Sequence, residues 1–216
     1  MEIEVDGLAV ADRYKLLIGC ITPRPIALVS TMAPAPDERL NLAPFSFFNG
    51  IGSDPMTLLF CPVNKPDGSE KDTLRNAAPA SEGGAGEFVV NLATESYARR
   101  VAAASEALPY GESEFALSRL TPAPSRVVRP PRVAESPVCF ECETVRVVRL
   151  NPGAVGGGNV VIGRVVHVFA AEGVLNERYH ADPAALQTIA RMGGPTYCTT
   201  RDRFDLPRGA AALNDE

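Results

Sequence analysis

Two long β-rich runs joined by a glycine-rich loop constrain the fold of this chain more than any other feature. Residues 138–150 and 160–171 are rich in β-branched and aromatic residues, and residues 151–159 between them contain one proline and four glycines. This pattern predicts an antiparallel hairpin with a long loop.

Shorter β-rich runs precede this hairpin and extend the same prediction to most of the chain. They are found at residues 26–31, 40–48, 57–61 and 87–92. Because the runs do not alternate with helices in a βαβ rhythm, a doubly wound sheet is disfavoured. The sequence predicts a mainly β fold, a closed or nearly closed barrel with peripheral helices.

Short helices are expected around the barrel, at residues 12–19, 71–76, 95–107, 112–120 and 182–193. In the first of them, Asp12 is the expected N-cap, and Tyr14, Leu17 and Ile18 would share one buried face.

The last helix is expected to have Asp182 at its cap, Pro183 in its first turn and Gly193 at its end. Its apolar stripe would be Leu186, Ile189 and Ala190. No repeat or linker divides the sequence, so residues 1–216 are predicted to form a single domain with its core at about 10–208.

Charge and composition exclude several functional classes. A net charge of −5 and a pI of about 5.2 argue against a nucleic-acid-binding protein, which usually carries a basic face. No apolar run approaches the roughly 20 residues that span a bilayer, and the acidic start is unlike a signal peptide. A cytoplasmic location with no membrane association is therefore expected.

The cysteines and histidines give little support for a metal site. The five cysteines are scattered, and Cys139 and Cys142 would point to opposite faces of one strand, so both are interpreted as structural. His167 is expected to be packed within its strand, and neither it nor His180 has a partner at metal-ligand spacing. No catalytic residue and no metal ligand is predicted.

The segment from residue 41 to residue 49 combines aromatic and polar side chains directly after a strand. Phe45, Phe47 and Phe48 would suit the faces and edges of a flat aromatic cofactor. Asn41, Ser46 and Asn49 would supply the polar groups that fix its orientation. On composition alone, packing of the aromatics in the core is an equal alternative.

Three residues suggest a place for a phosphate group. Lys71, Asp72 and Thr73 stand at a predicted helix start, where unpaired backbone N–H groups, an ammonium and a hydroxyl could meet an anion. A solvated capping sequence is the alternative. Arg24, between two prolines, is a further candidate because a guanidinium can grip a phosphate with two bonds.

Taken in order, the motifs resemble those of a known family. They are Tyr14-Lys15-Leu16-Leu17, residues 23–31 (PRPIALVST), residues 41–48 (NLAPFSFF), Lys71-Asp72-Thr73, residues 87–92 (EFVVNL), residues 130–138 (PPRVAESPV), Glu141-Cys142, residues 162–166 (IGRVV) and Arg191-Met192-Gly193-Gly194. Over roughly residues 10–208, the chain resembles the flavin reductase-like family with the FMN-binding split-barrel fold, in its flavoredoxin-like branch.

The resemblance implies a homodimer with FMN near the subunit interface and with NADH or NADPH as co-substrate. Its expected flavin contacts are Arg24, Pro25, Ala27, Ser30, Thr31, Asn41, Ala43, Pro44, Ser46, Phe47, Phe48, Asn49, Lys71, Asp72 and Thr73. The implied function is NAD(P)H-dependent reduction of flavin, with electrons passed to a second acceptor such as a monooxygenase or other redox partner. The alternatives are an FMN-binding electron carrier or flavin store, and an FMN-free binding module.

Overall fold

A computed structural model of the chain describes residues 1–109 and 111–213. Its strands are β1 (Arg24–Pro25), β2 (Ala27–Met32), β3 (Leu40–Phe45), β4 (Phe48–Ser53), β5 (Met56–Phe60), β6 (Glu87–Leu92), β7 (Pro122–Ala123), β8 (Arg132–Val133), β9 (Val138–Arg149), β10 (Asn159–Ala170), β11 (Ile189–Arg191) and β12 (Tyr197–Thr199). Its α-helices are α1 (Val10–Cys20), α2 (Asp72–Ala77), α3 (Ala98–Ala103), α4 (Glu114–Ser118) and α5 (Pro183–Leu186). Three 3-10 turns cover Ala80–Glu82, Glu95–Tyr97 and Gly209–Leu213.

Seven strands form one antiparallel sheet in the order β3-β2-β6-β9-β10-β5-β4. The predicted hairpin is confirmed as β9 and β10, which pair from Arg149↔Asn159 to Val138↔Ala170. Gly163 of β10 lies over Phe88 of β6, so close that an added Cβ would stand 2.3 Å from the phenyl Cζ atom. The sheet therefore curves tightly at this point, where only a residue without a side chain fits.

The two edge strands of this sheet, β3 and β4, follow each other in sequence with only Ser46 and Phe47 between them. Such a short connection spans at most about 11 Å, so the sheet must curl until its two edges meet at this corner. Among the described residues no ladder of hydrogen bonds joins β3 to β4. The barrel is thus closed at one corner and split elsewhere, which confirms the predicted mainly β barrel with peripheral helices.

The barrel interior is filled by aromatic and aliphatic side chains. Phe60 packs against both Phe45 and Phe88, with ring centroids 5.1 Å apart in each pair. Helix α2 enters this core with Leu74 and Ala77, which are fully buried. Its tertiary packing, rather than its six-residue length, explains why it is helical.

A second apolar layer covers the outside of β2 and β3. Leu28 and Leu42 pack there against Val101 of α3 and Phe115 of α4. Because β2 is covered on both faces, its first five residues are all buried, with no alternation between buried and exposed positions.

The predicted first helix is present, but its expected orientation is wrong. It begins at Val10, and Asp12 makes no capping hydrogen bond. Ile18 is buried, whereas Tyr14 and Leu17 are 50% and 48% exposed. Much of the apolar surface of α1 is therefore uncovered in the single chain.

The predicted last helix is largely wrong. Asp182 does cap it, accepting the Ala184 N–H at 2.8 Å, but the helix ends at Leu186. Gln187 then adopts a left-handed φ of 45°, and Ile189 and Ala190 continue as strand β11, paired with β1. Pairing with another strand overrides the helical spacing of these apolar residues.

The two predicted structural cysteines are confirmed. Cys142 faces the barrel core, and Cys139 belongs to a separate cluster with Val89 and Val128 outside it. The single α-helix predicted over residues 95–107 is shorter, a 3-10 turn followed by α3. None of the described helices is long and apolar enough to cross a membrane.

Candidate functional site

Two neighbouring cavities run along β3 and meet at Pro44 and Lys71, which line both. The cavity toward α2 has a volume of about 140 Å³ and is called here the polar cavity. The cavity toward α1 has a volume of about 130 Å³ and is called the aromatic cavity. Together they form the β3 cleft, which is polar at the end toward α2 and mainly aromatic at the end toward α1.

The polar cavity lies between β3, the start of α2 and the α3–α4 connection. Its lining residues are Asn41, Ala43, Pro44, Lys65, Lys71, Asp72, Thr73, residues 104–108 and Glu114. The residues just after Pro44 turn the corner to β4, so the position of this cavity follows from the closure of the barrel.

A buried hydrogen-bond network fixes the Thr73 hydroxyl beside the polar cavity. Asn41 Nδ2 donates to Thr73 Oγ1 at 2.9 Å and to Thr31 Oγ1 at 3.2 Å. Asn76 Nδ2 donates to the same Thr31 oxygen at 3.2 Å. Since the Thr73 oxygen already accepts a hydrogen bond, its own proton remains for a group bound in the cavity.

The two lysines of the polar cavity differ in their partners. Lys65 Nζ lies 3.4 Å from Asp72 Oδ1, so its charge is balanced within the chain. Lys71 forms no salt bridge with a described residue, and its ammonium lies 5.9 Å from the centre of the Phe45 ring. Burial lowers the pKa of Lys71, with Lys65 acting in the same direction and Glu114 opposing it.

Glu114 closes one side of the polar cavity and supports the edge of the sheet. Its carboxylate Oε2 accepts the Leu42 N–H of β3 at 2.9 Å. Two positions along the same edge, Pro44 has no N–H to satisfy. Burial raises the pKa of Glu114, and the hydrogen bond from Leu42 only partly offsets this.

The aromatic cavity is lined by flat and apolar side chains. They are Tyr14, Pro44, Phe45, Phe47 and Val63, with Ser46, Cys61 and Lys71 as the polar members. The rings of Tyr14 and Phe47 stand 6.5 Å apart at 60° to each other. Burial raises the pKa of Cys61, so its thiol remains protonated.

Eight of the fifteen residues predicted from the sequence line the β3 cleft. They are Asn41, Ala43, Pro44, Ser46, Phe47, Lys71, Asp72 and Thr73. Thr31 lies behind them and holds the amides of Asn41 and Asn76. The two segments chosen from the sequence, residues 41–49 and 71–73, are thus brought together by the pairing of β3 with β2 and the packing of α2 on both.

Arg24, the further candidate for a phosphate contact, lies behind the cleft and not in its lining. Its guanidinium donates to the carbonyl oxygens of Ile18 and Ile21 at 2.5 Å and of Met192 at 2.9 Å. A fourth bond reaches Ser46 Oγ at 3.3 Å. Arg24 therefore ties α1, the β3–β4 corner and the end of β11 together, and it supports the cleft from behind.

The remaining predicted contacts lie outside the cleft. Ala27 is fully buried in the barrel core, and Ser30 Oγ donates to the Pro131 carbonyl at 2.5 Å. Pro25 and Asn49 are exposed. Phe48 lines a separate apolar groove on β4 and β5, with a volume of about 530 Å³.

Several residues that line the β3 cleft were not predicted from the sequence. They are Tyr14, Cys61, Val63, Lys65, residues 104–108 and Glu114. Tyr14 belongs to one of the recognised motifs and Lys65 lies six residues before another, so the motifs gave a usable signal for both. Nothing in the local sequence marks Glu114, which reaches the cavity through the packing of α4 on β3.

Four residues to which the sequence analysis gave no function do not line the cleft. They are His167, His180, Arg191 and Tyr197. Arg191 stacks on the Tyr197 ring at 4.5 Å within the small β1-β11-β12 sheet, and His180 is exposed in a loop. His167 Nδ1 lies 3.0 Å from Glu141 Oε1. Among residues 1–109 and 111–213, no group of three or more His, Cys, Asp or Glu side chains could hold a metal ion.

Comparison with known proteins identifies the family to which this architecture belongs. Residues 18–188 match the family model described as "Flavin reductase like domain". An uncharacterized protein of Halalkalibacterium halodurans is 36% identical over 217 residues, which cover all of both chains. The crystal structure of nitrilotriacetate monooxygenase component B from Bacillus cereus has a TM-score of 0.86 at 33% identity, covering 95% of this chain and 98% of that one.

A second solved structure has the same arrangement of strands. It is the 2-nitrobenzoate 2-nitroreductase of Pseudomonas fluorescens, with a TM-score of 0.82 at 28% identity and 97% coverage of each chain. These matches confirm the resemblance that the ordered motifs indicate. The chain belongs to the flavin reductase-like family and has its split-barrel fold.

Proposed function

We propose that this protein is an FMN-binding oxidoreductase that takes electrons from NADH or NADPH and passes them to a second acceptor. The observation that carries the proposal is the β3 cleft, whose polar cavity and aromatic cavity meet at Pro44 and Lys71. FMN has the same division, with a flat ring system at one end and a phosphate at the other.

The residues of the polar cavity fit the phosphate end of FMN. Lys71 has no salt-bridge partner among the described residues, and the Thr73 oxygen accepts from Asn41, which leaves its own proton for a bound group. An ammonium and a hydroxyl are suitable donors to phosphate oxygens, and charge-assisted bonds are the stronger kind. Asp72 keeps Lys65 in place beside them.

The aromatic cavity fits the ring end. Phe47 and Tyr14 offer apolar surface for an aromatic ring system, and Ser46 lies at the β3–β4 corner beside them. A bound flavin supplies the electron and hydride transfer chemistry, and the protein supplies binding, orientation and exclusion of water. Arg24 keeps Ser46 and the end of α1 fixed relative to each other, which makes this end of the cleft preorganised.

The similar proteins suggest the class of electron acceptor. One is component B of a nitrilotriacetate monooxygenase and another is a nitroreductase, as their descriptions state. We propose that a partner monooxygenase or another redox partner accepts the electrons here. We also propose a homodimer, because Tyr14 and Leu17 of α1 and the apolar groove beside Phe48 leave apolar surface uncovered in one chain.

The test has two stages and uses the full chain. FMN is first titrated into the purified protein, and binding is measured by fluorescence quenching. The FMN-loaded protein is then mixed with NADH or NADPH under anaerobic conditions in a stopped-flow instrument. Bleaching of the visible flavin absorbance is expected with at least one of the two.

Each stage separates a different alternative. Absence of FMN binding would refute the proposal as a whole and leave a flavin-free binding module. Tight FMN binding without bleaching by either nicotinamide would refute the reductase and leave an electron carrier or flavin store.

A further inference from the structure

The polar cavity places a carboxylate where the proposed phosphate would bind. Lys65 shares the Asp72 carboxylate with Arg75, at 3.4 and 3.9 Å, whereas Lys71 forms no salt bridge with a described residue and is the cation most available to an anion. Glu114 lines the same cavity and is the acidic group whose charge opposes that of Lys71. A phosphate in contact with Lys71 therefore has the Glu114 carboxylate as a neighbour.

Glu114 cannot easily withdraw from this position. It is only 8% exposed, and its Oε2 atom holds the Leu42 N–H of the edge strand. If the side chain moved away, a buried backbone donor would lose its partner, which is costly in free energy. Glu114 forms no salt bridge with any described residue that would neutralise it.

Two negative groups held together in a partly buried site do not both remain fully ionised. We propose that a flavin phosphate bound in the polar cavity shares one proton with Glu114. This inference rests on the proposed function. Binding takes that proton up from solvent, and it is held either as a carboxylic acid donating to a phosphate oxygen or as a phosphate hydroxyl donating to the carboxylate.

The other charged groups around Glu114 act on its proton in opposite directions. Asp72, at the start of α2, raises the pKa of Glu114, whereas Lys71, the residue before it, opposes this rise. Lys65, from the segment before α2, and Glu106, from the α3–α4 connection, also line the cavity, and β3 contributes the Leu42 N–H that binds the carboxylate. The consequence of the shared proton is a flavin held more weakly as pH rises.

The first experiment measures how much the phosphate contributes to binding. Dissociation constants are determined for FMN and for riboflavin, which has the same ring and ribityl chain without the phosphate. Their ratio is compared in the wild type, Glu114→Gln and Glu106→Gln at about pH 8, where a phosphate with a second pKa near 6 is a dianion. Gln at 114 keeps an oxygen for the Leu42 N–H and removes the charge.

Glu114→Gln is expected to increase the phosphate contribution about tenfold, because at pH 8 the wild type must take up a proton in order to bind the phosphate and the variant need not. The increase should shrink toward about pH 5, where the wild-type pair holds its proton readily. Glu106→Gln, which removes an exposed charge at the same cavity, should have a much smaller effect. Equal ratios in the wild type and Glu114→Gln would overturn the inference.

The second experiment uses only the wild type and does not depend on the variant folding. Binding enthalpies are measured by calorimetry at about pH 8 in two buffers of different ionisation enthalpy. Uptake of close to one proton is expected with FMN and none with riboflavin. FMN binding without proton uptake would refute the shared proton and leave the proposed function standing, whereas failure of both flavins to bind would refute the proposed function itself.

Discussion

Glu114 and Glu141 are both almost fully buried carboxylates, yet the structure shifts their pKa values in opposite directions. Glu114 accepts the Leu42 N–H, but burial raises its pKa in spite of its backbone hydrogen bonds. Burial would also raise the pKa of Glu141, but backbone N–H groups of Arg126, Val127 and Val128 donate to it and lower its pKa instead. The number of donors, more than the depth of burial, decides whether a carboxylate is stable as an ion.

The Glu141 and Glu114 carboxylates also differ in what they contact. Glu141 fastens the proline-rich segment of residues 122–131 to strand β9, and His167 adds a contact at 3.0 Å. Such a carboxylate is a structural clip, and its charge is satisfied from within the chain. Glu114 lines a cavity and forms no salt bridge with a described residue, which is the arrangement expected of a group that interacts with a ligand.

The largest expected effect is on stability, at Glu141. Glu141→Gln replaces one of the two acceptor oxygens by an NH₂ group that faces a backbone N–H, so we expect a loss of about 2–3 kcal/mol of unfolding free energy. Chemical denaturation measures it. Glu143→Gln is the matched control on the same strand: among the described residues Glu143 forms a salt bridge with exposed Arg164 alone, so this substitution should cost less than about 1 kcal/mol.

The pH dependence of stability in the wild type and in Glu141→Gln gives a second test of the Glu141 hydrogen bonds. A carboxylate whose folded pKa is lowered contributes stability above its unfolded pKa of about 4.3, and the contribution is lost as pH falls through the folded value. Wild-type stability should therefore decline in acid below about pH 4.3 more steeply than that of Glu141→Gln. Parallel curves for the two proteins would contradict the assigned role of Glu141.

The next effect is on ligand binding, at the two donors of the polar cavity. Lys71→Met should weaken FMN binding by about tenfold or more, because a hydrogen bond to a charged group contributes roughly 1.5–3 kcal/mol. Thr73→Val should weaken it less, since it removes a neutral donor. Riboflavin binding should change little in either variant. An equal loss for riboflavin and FMN would place the phosphate elsewhere.

A smaller effect is expected on stability at Glu114. A carboxyl group whose folded pKa is raised contributes stability below its unfolded pKa, and that contribution is lost as pH rises through the folded value. Glu114→Gln should therefore be more stable than the wild type near neutral pH, by less than about 1 kcal/mol, and the difference should close in acid. Thermal unfolding at a series of pH values measures it; destabilisation at every pH would show that the carboxylate is structurally required.

The sequence identified the parts of the site that lie within single segments. Residues 41–49 and 71–73 were recognisable because their aromatic, amide and cationic side chains are locally concentrated. The barrel strands were predictable because β-branched runs mark them, and β6 matched its predicted bounds. These features depend on the local pattern, which a sequence displays directly.

Where the role of a residue depends on tertiary packing, the sequence-based prediction was incomplete or wrong. Arg24 looked available for a ligand, because no local pattern reveals that carbonyls of Ile18, Ile21 and Met192 converge on it. Ile189 and Ala190 have helical spacing from Leu186, but pairing with β1 makes them a strand. Glu114 reaches the cleft only after α4 has packed on β3, 72 residues apart from its hydrogen-bond partner Leu42.

The smallest expected effect tests whether His167 belongs to the Glu141 clip. The three backbone donors already satisfy most of the carboxylate, and His167 is partly exposed, so its contact adds little. His167→Gln keeps a polar side chain beside Glu141 and should change the unfolding free energy by less than about 0.5 kcal/mol. His167→Ala in the Glu141→Gln background should be nearly neutral, because the charge that the imidazole faced is gone. A loss comparable to that of Glu141→Gln, measured by the same denaturation experiment, would mean that His167 is an essential part of the clip and that backbone donors alone do not keep a buried carboxylate ionised.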